Sequence, residues 1–587
     1  MVNVKNLFGM AVMAAALVGC SSNDDITPNG NENESNKVGT AYAKFTIQLP
    51  TTSGTRTDGD PMFNGGTLDE YLVKNAQLVI FQKGATSTSE GDYTFVEKVD
   101  IGNLEPWKDQ SPANEGVTRY ADITAKLNSV SLDNSGEKYY ALIILNNDAE
   151  KKVTLPTSGT YSDWNVANNA KEAKDFLSTT DGFYMANAPL LKSGAPQTLV
   201  PINGVYRTKE EAQTKPATTV YVERGMAKVT VNGSDYTFDA TSAFNKDKVS
   251  ITNWTLDVMN QKTFPVHATT GLTDKFTTIW STDRFYASAD PQRVYWGTDP
   301  NYSMTTLTTV PACKGEFYLL DRDGSTYNFD GTKGSPVTWA DKTTPLYCLE
   351  NTFDIDNMKQ GQTTRVVFKA TYTPFVLAGA TTAADKTFFM IGNNTKIWTK
   401  DALVEQITSK AKEMLKSTAV TVTIKDKAPL LKGGSHLLSS ADVIIKDGSD
   451  DKTDTFDFAT LNTKLGLSNT DKDFNGNPTV GIKTYENGEC YYIARIKHFN
   501  ELTPWPSTSG SRDTYGTNND TNNAMFLGRY GVLRNNWYDL TVTKFSAPGY
   551  PDVPVVNPET SDDEDTKYIN VAVKILDWAK RTQQVEL

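Results

Sequence analysis

Few residues in this chain have the types and spacing that catalysis requires. Only three histidines occur, His267, His436 and His498, and they form no HExxH or HxH motif. Histidine-containing zinc sites and Ser-His-Asp triads both need histidine in a suitable arrangement, and three widely spaced histidines do not provide one. No GxSxG elbow, P-loop or GxGxxG on a strand–helix unit is present, and no carboxylate pair stands out as a glycosidase acid and base. The sequence predicts a non-enzyme with no catalytic residue, metal site or cofactor.

One segment imitates a calcium loop. Residues 471–477 place oxygen-bearing side chains at alternate positions and end with a turn glycine and an asparagine. The twelfth position of that loop would be Ile482, where an EF-hand needs a bidentate glutamate. We therefore interpret the segment as a solvated turn.

Cys20 is the cysteine with a recognisable context. It follows a positive charge at Lys5, an almost wholly apolar run at residues 7–18, and small residues directly before it. The run is too short to span a bilayer, but it suits a signal peptide. The order resembles a bacterial lipobox, which predicts removal of residues 1–19 and lipidation of the Cys20 thiol. The alternative is a plain secretory signal with an incidental cysteine.

Residues 20–36 are polar and acidic and predict a flexible tether. Asp24 and Asp25 resemble the export signal of surface-exposed Bacteroidetes lipoproteins, so we expect an outer-membrane lipoprotein precursor. The three remaining cysteines, Cys313, Cys348 and Cys490, match no zinc spacing and allow at most one disulfide. We interpret them as buried free thiols.

Apolar and polar residues alternate along much of the mature chain. Residues 41–49 place Ala41, Ala43, Phe45, Ile47 and Leu49 on one face, which predicts a half-buried strand. Further strands are predicted at residues 76–82, 139–145, 219–222, 227–231, 365–371, 419–424, 491–496 and 536–545, and one clear helix at residues 401–416. Turn-rich segments separate the strands, as in β-sandwiches.

Length and charge narrow the possibilities further. A chain of 587 residues is long enough for several domains, and a polar stretch at residues 208–218 separates two strand-rich regions. We predict an N-terminal β-sandwich domain at residues 37–218 and a C-terminal one at residues 219–547. The net charge of −12 argues against a nucleic-acid partner, which would require a basic face.

The chain ends in an unusual way. Residues 548–567 are rich in proline and acidic residues, which predicts an extended, solvated linker with a reach of roughly 60 Å. Residues 568–587 follow, in which Ile569, Val571, Val573 and Ile575 alternate onto one apolar face before Asp577 interrupts the pattern. A lone strand on such a linker is unstable in water, so it must pair with a sheet in its own subunit or in another.

Two segments carry a family resemblance. Residues 222–229 contain an arginine followed by an Ala-Lys pair, and residues 531–542 contain Arg-Asn followed by an aromatic residue. With looser matches at residues 140–146 and 183–187, the chain resembles the fimbrilins of Bacteroidales, the type V pilins, and most of all the minor-fimbrilin shaft subunit. This resemblance implies an all-β fold with a few short helices: two tandem transthyretin-like β-sandwich domains, a linker and a C-terminal donor strand.

The resemblance also implies a mechanism. In that family an arginine-specific surface protease removes the first strand of a lipidated precursor, and a neighbouring subunit's strand fills the groove. The matching bond is Arg56–Thr57, because the loop at residues 51–60 is small and polar and Arg56 is its only basic residue. The implied partners are copies of the chain in a linear polymer, anchor and tip subunits, the protease, and host or bacterial surface receptors.

Three alternatives remain open at this stage. The first strand, at residues 41–49, and the last strand, within residues 568–587, could both be ordinary strands that stay within one subunit. The protein could be a surface glycan-binding lipoprotein with tandem β-sandwiches that uses some of its ten tryptophans for stacking. It could also be a tip or anchor component of the same fimbria, although the tether, Arg56 and the linked last strand together favour the shaft.

Overall fold

The structure is a computed structural model, and it describes the parts of the chain that can be placed. These are residues 38–50, 67–104, 108–109, 117–133, 137–167, 171–172, 176, 182–192, 195–270, 292–294, 296–305, 307–321, 325–327, 333–336, 339–354, 357–380, 382, 386–473, 476–498, 528–562 and 569–576. Statements below concern those residues.

The N-terminal region is built around one nine-stranded sheet. Its elements, in chain order, are β1 (Val38–Pro50), α1 (Leu68–Tyr71), β2 (Ala76–Gln82), β3 (Thr94–Gly102), β4 (Lys108–Asp109), β5 (Val117–Ser131), β6 (Tyr139–Leu145), α2 (Tyr161–Ala167), β7 (Lys171–Glu172), β8 (Met185–Asn187), β9 (Leu190–Lys192), β10 (Ala195–Gln197), β11 (Val200–Pro201), α3 (Lys209–Gln213) and β12 (Thr218–Arg224). The strand order is β3-β2-β6-β8-β12-β1-β5-β4, with β11 also paired to β6.

This sheet curls around a single apolar core. The Glu97 carboxylate on β3 accepts hydrogen bonds from the backbone N–H of Asn128 and of Ser129 on β5, at 2.9–3.0 Å, although β3 and β5 lie far apart in the strand order. The two ends of the sheet therefore meet across the core. That core includes every inward residue of β1, extends along the chain to Met226, and is joined by Val266, Tyr318 and Leu349 from later segments.

The middle of the chain begins the C-terminal sandwich. Its elements are β13 (Ala227–Asn232), β14 (Tyr236–Thr237), β15 (Lys248–Asp257), β16 (Met259–Asn260), β17 (Lys262–Thr263), β18 (Gln292–Arg293), α4 (Val310–Glu316), β19 (Phe317–Tyr318), β20 (Ser325–Tyr327), β21 (Lys333–Pro336), β22 (Leu346–Cys348) and β23 (Arg365–Thr373). Two short pairs tie it to the N-terminal region, since β17 pairs with β7 and β18 pairs with β9.

An inserted unit follows between residues 388 and 485. It comprises β24 (Phe388–Ile391), β25 (Ile397–Trp398), α5 (Lys400–Leu415), β26 (Val420–Ile424), β27 (Gly434–His436), β28 (Val443–Asp447), β29 (Asp450–Asp451), α6 (Phe458–Lys464), β30 (Ser468–Lys472), β31 (Pro478–Val480) and β32 (Ile482–Tyr485). The Thr399 side chain caps α5 by accepting from Ala402 N–H, and Leu403, Ile407 and Ala411 bury one helical face. The unit has its own apolar core, which sequence analysis does not anticipate.

The last three strands complete the C-terminal sandwich. They are β33 (Glu489–Arg495), β34 (Trp537–Phe545) and β35 (Ile569–Leu576). One four-stranded sheet has the order β22-β13-β34-β35 and the other β14-β15-β23-β33. Val229 and Leu540 from the first sheet share a core with Trp254 and Phe368 from the second, as expected of two sheets packed face to face.

The mainly β fold predicted from the sequence is confirmed. Packing changes from the first core to the second between Met226 and Ala227, at the short connection from β12 to β13. The boundary at 218/219 and the other domain limits stay predictions. Within the described part of the chain, none of the helices has the length and hydropathy that crossing a membrane requires.

Candidate functional site in the first and last strands

The first strand is embedded in the N-terminal sheet. β1 pairs antiparallel with β5 along its whole length, from Val38 opposite Ser131 to Pro50 opposite Val117. On its other edge it pairs in parallel with β12, from Phe45 opposite Thr218 to Gln48 opposite Tyr221. Removing β1 would therefore leave a groove between two strands that have lost their shared partner.

The five residues predicted to face inward lie together in the core. Ala41, Ala43, Phe45, Ile47 and Leu49 are each at most 2% exposed. Burying each of the three large side chains contributes about 1.5–3 kcal/mol to folding. The groove that β1 occupies is thus a row of apolar pockets at alternate positions.

The outward face of β1 makes polar contacts that are open to solvent. The Thr46 hydroxyl donates to Asp122 Oδ1 at 2.7 Å, and the Lys44 ammonium donates to the Gln213 carbonyl at 3.3 Å. Both contacts are exposed, and exposed polar contacts contribute little net stability. Apolar burial and the main-chain ladder therefore hold the strand in place.

Three predicted site residues lie outside the described residues. Arg56 and Thr57 fall in the sequence between Pro50, where β1 ends, and Thr67, which is the N-cap of α1. Cys20 lies before the first described residue. Lipidation and cleavage at these positions stay predictions.

The last strand, β35, pairs with its own chain at the edge of a sheet, whereas β1 lies inside one. β35 pairs antiparallel with β34, from Ile569 opposite Phe545 to Leu576 opposite Trp537. In the described part of the chain β34 is its only paired neighbour, so β35 forms the edge of its sheet. The predicted donor residues Ile569, Val571, Val573 and Ile575 all fall within this strand.

The linker before β35 differs from its prediction. A solvated segment was expected at residues 548–567, but residues 548–562 pack along the C-terminal sandwich with only Glu559 exposed. Val553 packs in a small apolar cluster with Val367, and Val556 packs in another with Phe317; each valine is 3% exposed. The expectation is wrong for this part because its valines find apolar neighbours that composition does not reveal.

Backbone hydrogen bonds begin and end the docked part of the linker. Tyr550 exchanges two hydrogen bonds with Tyr491 of β33, at 2.7 and 2.8 Å. Further along, the Gln360 N–H donates to the Thr560 carbonyl at 2.9 Å, and the Asp562 N–H donates to the Met358 carbonyl at 3.2 Å.

Side chains hold the middle and the end of the same segment. The buried Arg365 guanidinium donates to the Pro554 carbonyl at 2.5 Å while forming an ion pair with Asp257 at 2.7 Å. The Thr363 hydroxyl donates to Asp562 Oδ2 at 3.1 Å. The linker is therefore an ordered arm along residues 548–562.

This docking shortens the reach of the last strand. From Asp562 to Ile569 there are seven residue steps, which span roughly 24 Å at full extension. β34 itself, from Trp537 to Phe545, spans roughly 26 Å. With the linker docked, β35 can therefore reach its own sheet, and the 60 Å span requires the linker to detach.

The segments that carry the family resemblance form the junction between the two cores. The Arg224 side chain donates to the Glu70 carbonyl at 2.7 Å, and its backbone N–H donates to Asn535 Oδ1 at 3.2 Å. The Lys228 ammonium lies 2.7 Å from a Glu70 carboxylate oxygen, and both side chains are at most 5% exposed. Burial raises the pKa of Glu70, but the hydrogen bonds from Lys228 and Tyr347 outweigh it and hold that pKa below its usual range.

A second buried ion pair lies at the same junction. Arg534 Nη2 is 2.9 Å from Glu350 Oε1, and it also donates to the Phe264 carbonyl at 3.1 Å. His267 Nδ1 lies 2.7 Å from Glu223 Oε1. Sequence reasoning missed the three glutamates, Glu70, Glu223 and Glu350, because nothing local marks them as partners of distant basic residues.

The remaining candidate residues for chemistry are the three cysteines and the turn that resembles a calcium loop. Cys313, Cys348 and Cys490 are buried free thiols, as predicted, and burial raises the pKa of Cys313 to about 11 and of the other two to about 12. Asp473 lies in the turn between β30 and β31, where its carboxylate accepts from the Asn477 backbone and side chain. No group of metal-ligating side chains is found among the described residues.

A family match covers the end of the chain that contains the last strand. Residues 483–584 match the family described as major fimbrial subunit protein type IV, fimbrillin, C-terminal. The C-terminal part of this chain is therefore similar to that of a fimbrillin. The match spans β33, β34, the linker and β35, and it confirms the resemblance that residues 531–542 suggested.

Solved structures give further similarities at low identity. A fimbrilin (FimA) from Porphyromonas gingivalis W83 is 10% identical, over 92% of this chain and 99% of that one, with a TM-score of 0.36. The tip fimbrial protein Mfa3 from Porphyromonas gingivalis is 10% identical, over 92% and 100%, with a TM-score of 0.28. A fimbrial assembly protein from Parabacteroides distasonis is 13% identical, over 57% and 85%, with a TM-score of 0.26. Comparison with curated proteins finds no match.

Proposed function

We propose that this fimbrillin is a structural shaft subunit of a cell-surface fimbria. It is exported as an outer-membrane lipoprotein on Cys20, cleaved after Arg56, and polymerised when the C-terminal strand of one copy replaces β1 in the next. Its partners are copies of itself, anchor and tip subunits, and an arginine-specific surface protease, and the assembled fimbria meets host or bacterial surface receptors. The protein itself catalyses nothing.

One observation carries this proposal. β1 lies between β12 and β5 with its alternate residues at most 2% exposed, and a strand with the same alternation lies at a sheet edge beyond a linker. The strand to be displaced thus fills a groove lined for alternate apolar side chains. Among the strands that the structure describes, the strand to be donated pairs with β34 alone, so its removal disturbs one neighbour.

Strand replacement is energetically reasonable. Cleavage after Arg56 would disconnect β1 from the rest of the domain, so the strand could leave the sheet once its ladders with β12 and β5 break. Burying the four aliphatic side chains of the donor contributes on the order of 6–12 kcal/mol before ordering costs, and main-chain hydrogen bonds add affinity. The linker must first detach from Arg365 and Thr363, because the docked arm holds the strand near its own sheet.

The cleavage step is tested with Arg56→Ala. Purified precursor is treated with an arginine-specific protease, the product is sequenced from its N-terminus, and polymers are measured by negative-stain microscopy. Wild type is expected to begin at Thr57 and to polymerise, whereas Arg56→Ala stays monomeric with β1 in place. Arg207→Ala, which removes an exposed arginine elsewhere, is the matched control and should process normally. Fimbriae of normal length from Arg56→Ala would refute the proposal.

The lipid anchor has a separate test. Cys20→Ser should lose metabolic lipid labelling and fractionate away from the outer membrane. Cys313→Ser is the control, since that thiol is buried in the C-terminal part and should leave labelling unchanged. Unchanged labelling in Cys20→Ser would show that the lipobox assignment is wrong.

A further inference from the structure

The segment between β11 and β12 lies against the beginning of the first strand. Tyr42 and Tyr206 exchange two backbone hydrogen bonds of 2.8 Å, from N–H to carbonyl in both directions, on the edge of β1 that faces away from β5. β12 takes over the same edge from Phe45 onward. The part of this edge that β12 does not reach is therefore covered, at Tyr42, by the segment that leads into β12.

The same segment also crosses the outward face of β1. α3 contacts both β1 and β5, although Tyr206, just before it in the chain, lies on the edge of β1 away from β5. Ala212, the buried residue of α3, is 0% exposed. The outward-pointing Lys44 ammonium donates to the Gln213 carbonyl. Around Tyr42 and Lys44 the strand thus has neighbours on both edges, on its inner face and on its outward face.

Residues 203–217, here called the clasp, are tied together at their base and ordered within. The Asn203 N–H donates to the Thr218 hydroxyl at 2.8 Å, and the Asn203 side-chain amide donates to the Ala217 carbonyl at 2.9 Å. Between these ends, the Thr208 hydroxyl caps the first turn of α3. This is the construction of an Ω-loop, a compact surface unit whose two ends lie close together.

The clasp and the predicted cleavage bond act on opposite ends of β1. Arg56 follows Pro50, the last residue of the strand, whereas Cys20 precedes Val38, the first residue. Cleavage after Arg56 therefore frees the end of β1 that the clasp does not touch. The clasp holds the other end, which leads back to Cys20. A strand that peels away from the cut leaves the clasped part last.

We propose that the clasp keeps the first strand, and with it the lipid on Cys20, attached to the cleaved subunit until the clasp lifts. This role rests on the proposed function, in which β1 is cut free after Arg56. It adds an intermediate to that function: a subunit that is cleaved and still held at the membrane. Removal of the strand then has two steps, hydrolysis of the Arg56–Thr57 bond and opening of the clasp, and the second step needs no protease.

The clasp sets how fast the strand leaves. β1 cannot pass a closed clasp, so its release rate is multiplied by the fraction of molecules in which the clasp is open. The two backbone hydrogen bonds between Tyr42 and Tyr206 and the buried methyl group of Ala212 hold the clasp closed. Loosening these contacts is expected to speed release about tenfold, a change that corresponds to about 1.4 kcal/mol in the barrier.

Release of the excised fragment measures the clasp directly. Purified precursor, at a dilution that keeps it monomeric, is cut with an arginine-specific protease, and size-exclusion chromatography follows how much of the fragment ending at Arg56 stays with the body. Every sample carries Arg207→Ala, so the protease cannot cut the clasp itself. Ala212→Glu places a carboxylate at a fully buried position and should open the clasp. Gln213→Glu, at the next and exposed position, is the matched control.

The parent and Gln213→Glu should keep the fragment and lose it at the same slow rate, whereas Ala212→Glu should lose it about tenfold faster. Asn203→Ala, which unties the exposed base of the clasp, should speed release severalfold and decides the matter if Ala212→Glu does not fold. Parent-like release from Asn203→Ala and from folded Ala212→Glu, or immediate loss of the fragment from the parent, would overturn the clasp. Both results would leave the proposed function standing, because Arg56 would still be cut and the strand would still leave.

Hydrogen exchange in the uncut precursor shows whether the clasp has opened. The amides of Tyr42 and Tyr206 should exchange faster in Ala212→Glu than in Gln213→Glu, since their mutual hydrogen bonds protect them only while the clasp is closed. A fragment that stays bound in every variant, while the concentrated samples polymerise normally, would show that β1 is not displaced during assembly. That result would overturn the proposed function together with the clasp.

Discussion

The first and last strands of this protein have the same apolar alternation and opposite positions in their sheets. β1 pairs at twelve residues with β5 on one edge, and on the other at four residues with β12 and at Tyr42 with Tyr206, whereas β35 pairs at eight residues on a single edge among the described residues. A strand with two neighbours cannot leave without breaking both ladders, and an edge strand breaks one. The same alternating pattern therefore occurs in a strand held on both edges and in a strand held on one edge.

The largest expected effect comes from deleting residues 568–587. Polymers should disappear, because the open groove of the next copy would lack its donor. The precursor monomer should still fold, since β35 is an edge strand and its loss leaves β34 paired with β13. Microscopy measures the polymer and thermal unfolding measures the monomer. If the monomer unfolds outright, the last strand belongs to its own sandwich and the contrast with β1 disappears.

The second effect concerns the core of β1. Phe45→Ala in the precursor should lower the free energy of unfolding by about 3–5 kcal/mol, because a fully buried aromatic ring leaves a cavity. The outward neighbour Thr46→Ala is the control and should cost less than about 1 kcal/mol, since its hydrogen bond to Asp122 is exposed. Denaturant unfolding compares the two variants. Equal losses would mean that β1 is not held by its inward face.

The third effect concerns the docked linker. Val553→Ala with Val556→Ala removes buried methyl groups, at a cost of roughly 1–2 kcal/mol for each site. We expect faster proteolysis and hydrogen exchange across residues 548–562 and faster polymerisation after cleavage, because the strand is released more often. Val555→Ala, at a less buried position between them, is the control. Slower polymerisation would indicate that the docked linker assists transfer.

The smallest effect is expected on the other face of the donor. Asn570→Ser with Lys574→Gln should leave polymer length unchanged, because these residues alternate away from the apolar pockets. Val571→Asp with Val573→Asp is the contrasting pair and should abolish polymers, since two buried carboxylates cost several kcal/mol. Similar polymer lengths from the two double variants would remove the distinction between the faces and reject exchange through this strand.

Much of the strand framework is readable from local sequence. Predicted strands at residues 76–82 and 139–145 coincide with β2 and β6, and those at 41–49 and 569–575 lie within β1 and β35. The helix predicted at residues 401–416 is α5, displaced by one residue. Period-two and period-3.6 patterns reflect which faces of an element are buried, so a local reading suffices.

Local periodicity does not predict which distant segments contact one another. The pairing of Arg224 and Lys228 with Glu70 and of Arg534 with Glu350 joins residues far apart in the chain. The separate core between residues 388 and 485 also went unforeseen, although its helix and β26 were predicted individually. Local patterns show that an element has an apolar face, but they do not show which other face covers it.

Local residue order is enough to predict that residues 41–49 and 569–575 form strands with one apolar face, because alternation depends only on the two-residue repeat of an extended chain. Packing of the whole chain makes the first a central strand and the second an edge strand, and it docks the linker through Val553, Val556 and Arg365. These outcomes depend on which surfaces remain for each segment once the rest of the chain has packed. That competition among distant surfaces has no signature in the local order of residues.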